Sequence, residues 1–171
     1  MDLKSKLRHV LDFPKEGIDY IDITTVLQDK AYLKETIDQM KVSIESFGNF
    51  DLIVAPEARG FIFGVPLSYL FNKGFVPIRK KGKLPYKTVA IEYSLEYGTN
   101  VLEIHEDAIK PGQKVVIVDD LLATSGTTEA IIKLIEKMKG QVVGVSVFVE
   151  LEFLKGREKL KQYEIQSLVK L

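Results

Sequence analysis

The stretch VVIVDDLLATSGT, residues 115–127, decides the fold of this chain. Four apolar residues, mostly β-branched, are followed by two aspartates, a turn of small residues and the start of a helical pattern. This order predicts a strand, a loop and a helix, with the loop at the carboxyl end of the strand. In an open α/β sheet, ligands bind at that end of the strands. A loop that aims backbone N–H groups at one point beside a helix start suits a phosphate.

The two acids of this stretch, Asp119 and Asp120, stand at the edge of the predicted loop. Carboxylates there can hold sugar hydroxyls or the water on a bound metal ion. A strand-to-helix turn without a ligand is the alternative interpretation. It leaves the two adjacent acids unexplained, since they serve no packing purpose at the end of an apolar strand.

Composition restricts the classes of function. The chain has 171 residues, the size of one domain, and its hydrophobic fraction of 46% can fill a core. Lys and Arg (24) balance Asp and Glu (24), which argues against nucleic acid or an anionic membrane as a partner. Cysteine is absent, so we expect neither disulfides nor thiolate metal sites, and a cytoplasmic location fits. No apolar run approaches the roughly 20 residues that span a bilayer.

Helix and strand patterns alternate along the chain. Apolar spacing predicts helices at residues 2–12, 32–47, 60–71 and 127–139, with Pro66 near the first turn of the third helix. Apolar runs predict strands at residues 51–55, 75–79, 115–118, 142–151 and 167–171. Residues 88–94 and 100–105 have β character and form a hairpin or a long mobile flap. This alternation favours an α/β fold with a mostly parallel sheet flanked by helices on both faces.

The 115–127 stretch resembles the phosphoribosyl-diphosphate (PRPP) binding motif of the purine phosphoribosyltransferases, and most closely that of the adenine phosphoribosyltransferase family. That family usually reads Val-Asp-Asp-Leu-Leu-Ala-Thr-Gly-Gly-Thr here, so Ser125 replaces a glycine. Serine resists positive φ more than glycine does. The resemblance extends from about Phe13 to Leu168. It implies one phosphoribosyltransferase-type domain over residues 1–171, with a small N-terminal hood from about residues 1–30 and a flexible catalytic flap.

The resemblance also implies a function. The chain is expected to transfer 5-phosphoribose from PRPP to adenine, forming AMP and pyrophosphate in purine salvage. Mg²⁺ is the implied cofactor, carried by PRPP near Asp119 and Asp120 without direct protein ligands. The two acids would hold the ribose hydroxyls, and the hydroxyl of Ser125 could add a donor to the phosphate. The residues expected to bind the 5-phosphate are Ala123, Thr124, Ser125, Gly126 and Thr127.

Two further segments resemble the pyrophosphate-binding parts of that family. APEARGF, residues 55–61, implies that the backbone near Ala58 and the guanidinium of Arg59 bind the diphosphate, with Arg59 also beside the base as a catalytic residue. RKKGKLP, residues 79–85, implies the same role for Arg79, Lys80 and Lys83, partly across a homodimer interface. From the residues alone, an arginine on a helix start and a solvated charge run are the alternatives.

The flap and the hood complete the resemblance. EYSLEYGT, residues 92–99, implies that Glu96 handles the proton at the purine imidazole and that Tyr97 closes over the diphosphate. An exposed hairpin tip with an ordinary glutamate is the alternative. FPKEGIDYIDIT, residues 13–24, matches the purine-binding hood, where Tyr20 would stack on the base between Asp19 and Ile21. Ile21 replaces a basic residue that is frequent in the family.

Two rival functions stay open from the sequence. Because Ile21 departs from the family's usual basic residue, guanine, hypoxanthine or xanthine is the alternative base. A non-catalytic PRPP sensor is the other rival, but it would need an added basic winged-helix segment and would tend to lose the flap glutamate, which Glu96 retains. The expected partners are adenine, PRPP, AMP, pyrophosphate and a second copy of the chain.

Overall fold

The computed structural model describes residues 1–95 and 98–171. Its α-helices are α1 (Leu3–Lys6), α2 (Thr24–Leu27), α3 (Lys30–Glu45), α4 (Arg59–Phe71) and α5 (Gly126–Lys137). Two short 3₁₀ turns lie near the carboxyl terminus, at Glu152–Leu154 and Gly156–Leu160. The strands are β1 (Arg8–Leu11), β2 (Asp19–Asp22), β3 (Leu52–Pro56), β4 (Gly74–Lys80), β5 (Thr88–Leu95), β6 (Gly98–His105), β7 (Lys114–Leu122), β8 (Gln141–Glu150) and β9 (Ile165–Lys170).

Seven of these strands form one sheet in the order β5-β6-β4-β3-β7-β8-β9. The run from β4 through β3, β7 and β8 to β9 is parallel throughout. The β5–β6 hairpin extends the sheet antiparallel at the β4 edge. The predicted α/β fold with a mostly parallel sheet is therefore confirmed, and the predicted β-rich flap is this hairpin.

The sheet is buried on both faces, as the continuous apolar run in β7 predicts. Side chains of successive strand residues point to opposite faces. Val115 and Ile117 pack into a core with α5, while Val116 and Val118 pack into a second core with α3 and α4. All four are fully buried. Helices on both faces hold β7 in the centre of the sheet and fix where its carboxyl end emerges.

The N-terminal helix predicted for residues 2–12 is wrong beyond its first turn. Only Leu3–Lys6 is helical, and Arg8–Leu11 instead pairs antiparallel with β2. Leu3 and Leu7 are buried at the spacing that suggested a helix. Cross-strand contacts decide the outcome, because opposite charges on facing strands stabilise a pair of strands. Arg8 lies 3.4 Å from Asp22 across the hairpin.

Helix α4 also differs in detail from its prediction. Pro66 lies inside the helix rather than near its first turn. A proline there removes one N–H from the hydrogen-bond ladder, which the helix tolerates among its buried neighbours Phe63 and Leu67. In the described part of the chain, no helix combines the length and apolar character needed to cross a membrane.

Candidate active site

A cavity of about 280 Å³ opens at the carboxyl ends of β3 and β7. One wall is the loop after β3, and the other is the loop that joins β7 to α5. The structure thereby brings together most residues expected to bind PRPP. The lining residues among those predicted are Ala58, Arg59, Asp119, Asp120, Ala123, Thr124, Ser125, Gly126 and Thr127.

The loop between β7 and α5 ends in a left-handed residue. Ser125 has φ of 73° and caps α5, which begins at Gly126. This is the positive φ that a glycine would adopt at lower cost. The first turn of a helix leaves its N–H groups without intrahelical partners, so these donors are free to bind an anion at the cavity.

The hydroxyl of Ser125 is engaged within the helix. It donates to the Oε1 atom of Glu129 over 2.7 Å, and Ser125 is buried. This hydroxyl therefore already has an acceptor in the structure, and its donation to the phosphate stays a prediction. The backbone N–H groups and the hydroxyls of Thr124 and Thr127, which line the cavity, are the other donors of the loop.

The two aspartates lie inside β7 rather than after it. Asp119 and Asp120 are only 9% and 5% exposed. The Oδ1 atom of Asp119 accepts the backbone N–H of Asp120 at 2.8 Å. A Cβ at Gly60 would lie 3.1 Å from the same Oδ1 atom and 2.9 Å from the Pro56 ring. The glycine therefore leaves room for the Asp119 carboxyl against the start of α4.

Burial shifts the protonation of both acids. It raises the pKa of Asp119 well above the usual range for aspartate, and the neighbouring Asp120 carboxyl adds to the increase. Burial also raises the pKa of Asp120, while the Arg59 guanidinium acts in the opposite direction. Arg59 Nε lies 3.0 Å from Asp120 Oδ2 without hydrogen-bond alignment, so this oxygen accepts no hydrogen bond from the described residues. The atom is closed to solvent in this structure, with the Arg59 guanidinium as its charged neighbour.

Arg59 joins the hood to the sheet. It is the first residue of α4, and its Nη1 atom donates to the hydroxyl of Tyr20 over 2.7 Å. Its guanidinium carbon lies 5.5 Å from the centre of the Tyr20 ring. Phe13 packs edge-on against that ring at 5.2 Å. Arg59 thus contacts both Tyr20, which is predicted to stack on the base, and Asp120, which is predicted to hold the ribose.

The other two hood residues face different surroundings. Asp19 is exposed and lies 2.7 Å from His9 Nδ1 across the β1–β2 hairpin. The Ile21 side chain is buried in the core that contains α3 and α4. Any contact of Ile21 with a base therefore has to come from its backbone.

The basic loop after β4 lies outside the cavity lining. Glu57 accepts hydrogen bonds from Arg79 Nε at 3.2 Å and from the backbone N–H of Lys80 at 2.6 Å. Although its partial burial acts in the opposite direction, these hydrogen bonds keep the pKa of Glu57 below its ordinary value. The side chains of Lys80 and Lys83 are exposed, and neither forms an ion pair within the described residues. They are free to reach an anionic ligand.

Two glutamates that hold this loop were not identified from the sequence. Glu57 precedes Ala58 in a segment that the motif had already marked. Glu103 is buried on β6, and its Oε2 atom accepts the backbone N–H of Gly82 at 2.9 Å. Nothing in the sequence around Glu103 signals this contact, because it depends on the pairing of β6 with β4.

The predicted flap residues Glu96 and Tyr97 lie outside the described residues. The described part of the hairpin passes close to the phosphate loop. A Cβ at Gly126 would lie 3.8 Å from the carbonyl oxygen of Ser94 and 4.0 Å from the Tyr93 ring. The β5 strand thus leads towards the same cavity.

Comparison with known proteins gives a consistent result. A family model described as "phosphoribosyl transferase domain" matches residues 22–169. The adenine phosphoribosyltransferase of Acetivibrio thermocellus is 68% identical over 169 residues, covering 99% of each chain. The solved adenine phosphoribosyltransferase of Thermoanaerobacter pseudethanolicus superimposes with a TM-score of 0.95 at 53% identity, covering 99% of this chain and 98% of that one. The Saccharomyces cerevisiae enzyme, complexed with an imino-altritol bisphosphate and adenine, gives a TM-score of 0.92 at 37% identity, covering 97% and 96%.

The buried acid Asp119 predicts a pH-dependent gain in stability for Asp119→Asn. When folding raises the pKa of a carboxyl, its protonated form contributes fully to the free energy of unfolding below the unfolded-state pKa of about 3.9. That contribution is lost as pH rises through the folded-state pKa. We therefore expect the variant to melt about 2–4 °C above the parent at about pH 8, corresponding to about 1 kcal/mol. The gain should vanish near pH 4, close to the unfolded-state pKa. Thermal melts across this range check it, with the exposed Asp107→Asn as control, and a variant less stable than the parent at the higher pH would contradict it.

Proposed function

The chain belongs to the phosphoribosyl transferase domain family, and from that premise we infer that it transfers the 5-phosphoribosyl group of PRPP to adenine, releasing pyrophosphate and forming AMP. It is a pentosyltransferase of purine salvage. The observation that carries this function is the single cavity on which the phosphate loop, two buried acids and Arg59 converge.

We propose that the loop from Ala123 to Thr127 binds the 5-phosphate of PRPP. Its support is the start of α5, where unpaired N–H groups and the positive end of the helix dipole favour an anion. Asp119 and Asp120 lie next to this loop, and their carboxylates accept hydrogen bonds from the ribose hydroxyls. As the bond to the ribose C1 breaks, these acids offset the positive charge that develops on the sugar.

The diphosphate of PRPP binds on the opposite wall in this proposal. The backbone at Ala58 and the guanidinium of Arg59 lie there, on the first turn of α4. Arg79, Lys80 and Lys83 supply further positive charge from the basic loop, whose position Glu57 fixes. Cations at this wall stabilise the charge that collects on the leaving pyrophosphate.

The base stacks on the ring of Tyr20 in the N-terminal hood. Support comes from the contact of Tyr20 with Arg59, which places the ring beside the cavity. Asp19 and the backbone of Ile21 lie next to it in β2. The yeast relative holds adenine together with a bisphosphate analogue, which favours adenine as the base. Glu96 handles the proton of the purine imidazole, and Tyr97 closes over the diphosphate.

Mg²⁺ fits the site as an ion carried by PRPP. Magnesium in such sites keeps several waters and contacts one or two carboxylates plus substrate phosphates. Asp119 and Asp120 line the cavity and would act on the ion through its water shell, without direct coordination. Within the described ranges, no cluster of three or more His, Cys, Asp or Glu side chains is arranged around a common point for a metal. The bound ion would neutralise diphosphate charge. We also propose a cytoplasmic location, which the absence of cysteine fits.

A base panel tests the function. Purified protein with PRPP and Mg²⁺ is incubated separately with adenine, hypoxanthine, guanine and xanthine, and nucleotide formation is followed by chromatography. We expect AMP from adenine and no product above background from the three oxopurines. Product from an oxopurine instead would overturn the base assignment but keep the PRPP chemistry. PRPP binding without any product would indicate the sensor.

Substitution of Glu96 tests its proposed catalytic role. Glu96→Gln keeps the size of the side chain but removes its proton-accepting group, so we expect kcat to fall by at least about tenfold, within the range of general acid–base catalysis. PRPP binding should change little, because the loop and the acids are intact. Glu92→Gln, an exposed residue on the same hairpin, is the matched control. An unchanged kcat for Glu96→Gln would remove Glu96 from the mechanism.

We propose that the chain is a homodimer that associates through α4. Ile62, Val65 and Tyr69 follow the helical spacing of one face and are 37%, 50% and 84% exposed. Leu70 adds a further exposed apolar side chain. An exposed apolar patch of this kind marks an interaction surface. Since α4 begins at Arg59, a second copy on this face would sit close to the cavity.

Charge placed on the α4 face should separate the subunits. Tyr69→Glu puts a carboxylate at the most exposed of these apolar positions, and burying an unpaired charge there is strongly unfavourable. We expect the parent to sediment as a dimer and this variant as a monomer in analytical ultracentrifugation. Val42→Glu, at a 66% exposed position on α3, is the matched control and should stay dimeric. A dimeric Tyr69→Glu or a monomeric parent would contradict the proposal.

A further inference from the structure

We propose that the 3₁₀ turn at Gly156–Leu160, called here the C-terminal turn, is a positioning element for the phosphate loop and acts through Gly156 and Lys159. The inference rests on the proposed function, because it takes residues 123–127 as the 5-phosphate site. Neither residue lines the cavity. Both contact the loop from outside it.

Gly156 packs directly against the loop backbone. A Cβ at this position would overlap the carbonyl oxygen of Ala123 and lie 3.1 Å from its carbonyl carbon. It would also lie 3.2 Å from the backbone nitrogen of Ser125. These neighbours are backbone atoms, which cannot rotate away as the end of a flexible side chain can. Any side chain at position 156 therefore has to displace either the turn or the loop.

Two successive carbonyl groups of the loop face the C-terminal turn. The Ala123 carbonyl lies against Gly156, and the Thr124 carbonyl accepts a hydrogen bond from Lys159 Nζ at 3.2 Å. In a planar trans peptide the N–H points away from the preceding C=O. The N–H of Thr124 is thereby directed away from Gly156. The turn thus constrains the direction of the N–H groups in a loop that binds phosphate through its backbone.

The C-terminal turn can serve as a support because it is fixed to the sheet independently of the loop. Arg157 Nε and Nη2 donate to the two carboxylate oxygens of Glu150 at 2.9 and 2.5 Å. Its Nη1 atom donates to the carbonyl of Ile165 at 2.8 Å, and Nη2 also reaches Ser167 Oγ at 3.2 Å. The hydrogen bond from Arg157 lowers the pKa of the buried Glu150, which keeps the pair charged. The carboxyl end of β8 and the start of β9 therefore hold the turn.

A preorganised loop binds its anion without first losing conformational freedom. Loss of the support should weaken binding of the 5-phosphate and leave the diphosphate subsite intact, since that subsite lies on the loop after β3. Binding of ribose 5-phosphate and of pyrophosphate can be measured separately by titration calorimetry. The ratio of the two affinities distinguishes a role in positioning the phosphate loop from a general loss of structure.

Gly156→Ala is the primary test. We expect the dissociation constant for ribose 5-phosphate to rise by about tenfold, which corresponds to about 1.4 kcal/mol of binding free energy. The dissociation constant for pyrophosphate should stay within about twofold, because its subsite is preorganised separately. The KM for PRPP should rise while kcat at saturating PRPP changes little. Unchanged affinity for ribose 5-phosphate, or equal losses for both ligands, would overturn the inference.

Gly144→Ala is the control for stability. A Cβ at Gly144, on β8, would overlap the ring of Phe47 rather than the loop. This variant should melt at a lower temperature than the parent but bind ribose 5-phosphate with the parent's affinity. A loss of ribose 5-phosphate affinity in Gly144→Ala would show that destabilisation alone accounts for the effect, and it would overturn the inference.

Lys159 supplies a second test that does not depend on folding of the glycine variant, because its side chain is exposed. Lys159→Met should weaken ribose 5-phosphate binding by about threefold, the loss of one modest hydrogen bond, and Lys159→Arg should restore it. Lys161→Met removes an equal charge nearby and should have no effect. Equal losses in both Met variants would reduce the role of Lys159 to long-range charge and overturn it. A parent protein that binds neither PRPP nor ribose 5-phosphate would refute the proposed function itself.

Discussion

Parallel pairing of β3 with β7 is the constraint on which the rest of the site depends. The register runs from Leu52 opposite Val115 to Val54 opposite Ile117, so both strands end at the same edge of the sheet. The loop that leads to Arg59 at the start of α4 and the strand end that carries Asp120 therefore emerge side by side. Cores on both faces of the sheet hold this register, since a slip of one residue would exchange the two buried faces of β7.

The site buries two acidic groups where folding alone would not. Asp119 and Asp120 are buried at the end of a central strand, and Arg59 is the cation that approaches one of them. Such a pair lowers the stability of the protein without its ligand, because burial disfavours ionised carboxyls. Strain or instability of this kind persists at sites where function requires it. The left-handed backbone of Ser125 at the start of α5 is a second example in the same cavity.

Local patterns in the sequence predict most of the sheet, the three long helices α3, α4 and α5 and the cavity walls, because period and motif are properties of neighbouring residues. They fail at residues 8–11, where pairing with a distant strand overrides helical spacing. The supports at Glu103 and Gly156 could not be predicted either, since each contacts a segment far away in the chain. The proposed roles of Glu96 and Tyr97 stay predictions that rest on resemblance.

The contact of Arg59 with both Tyr20 and Asp120 has a thermodynamic consequence for a two-substrate reaction. A ligand that draws the Arg59 guanidinium towards Asp120 and away from Tyr20 changes the free energy of base binding at the hood. Linkage requires the reverse effect to be of equal size. Cooperativity between the two substrates, and with it a preferred order of their arrival, can therefore arise from the reorientation of a single side chain while the sheet stays fixed.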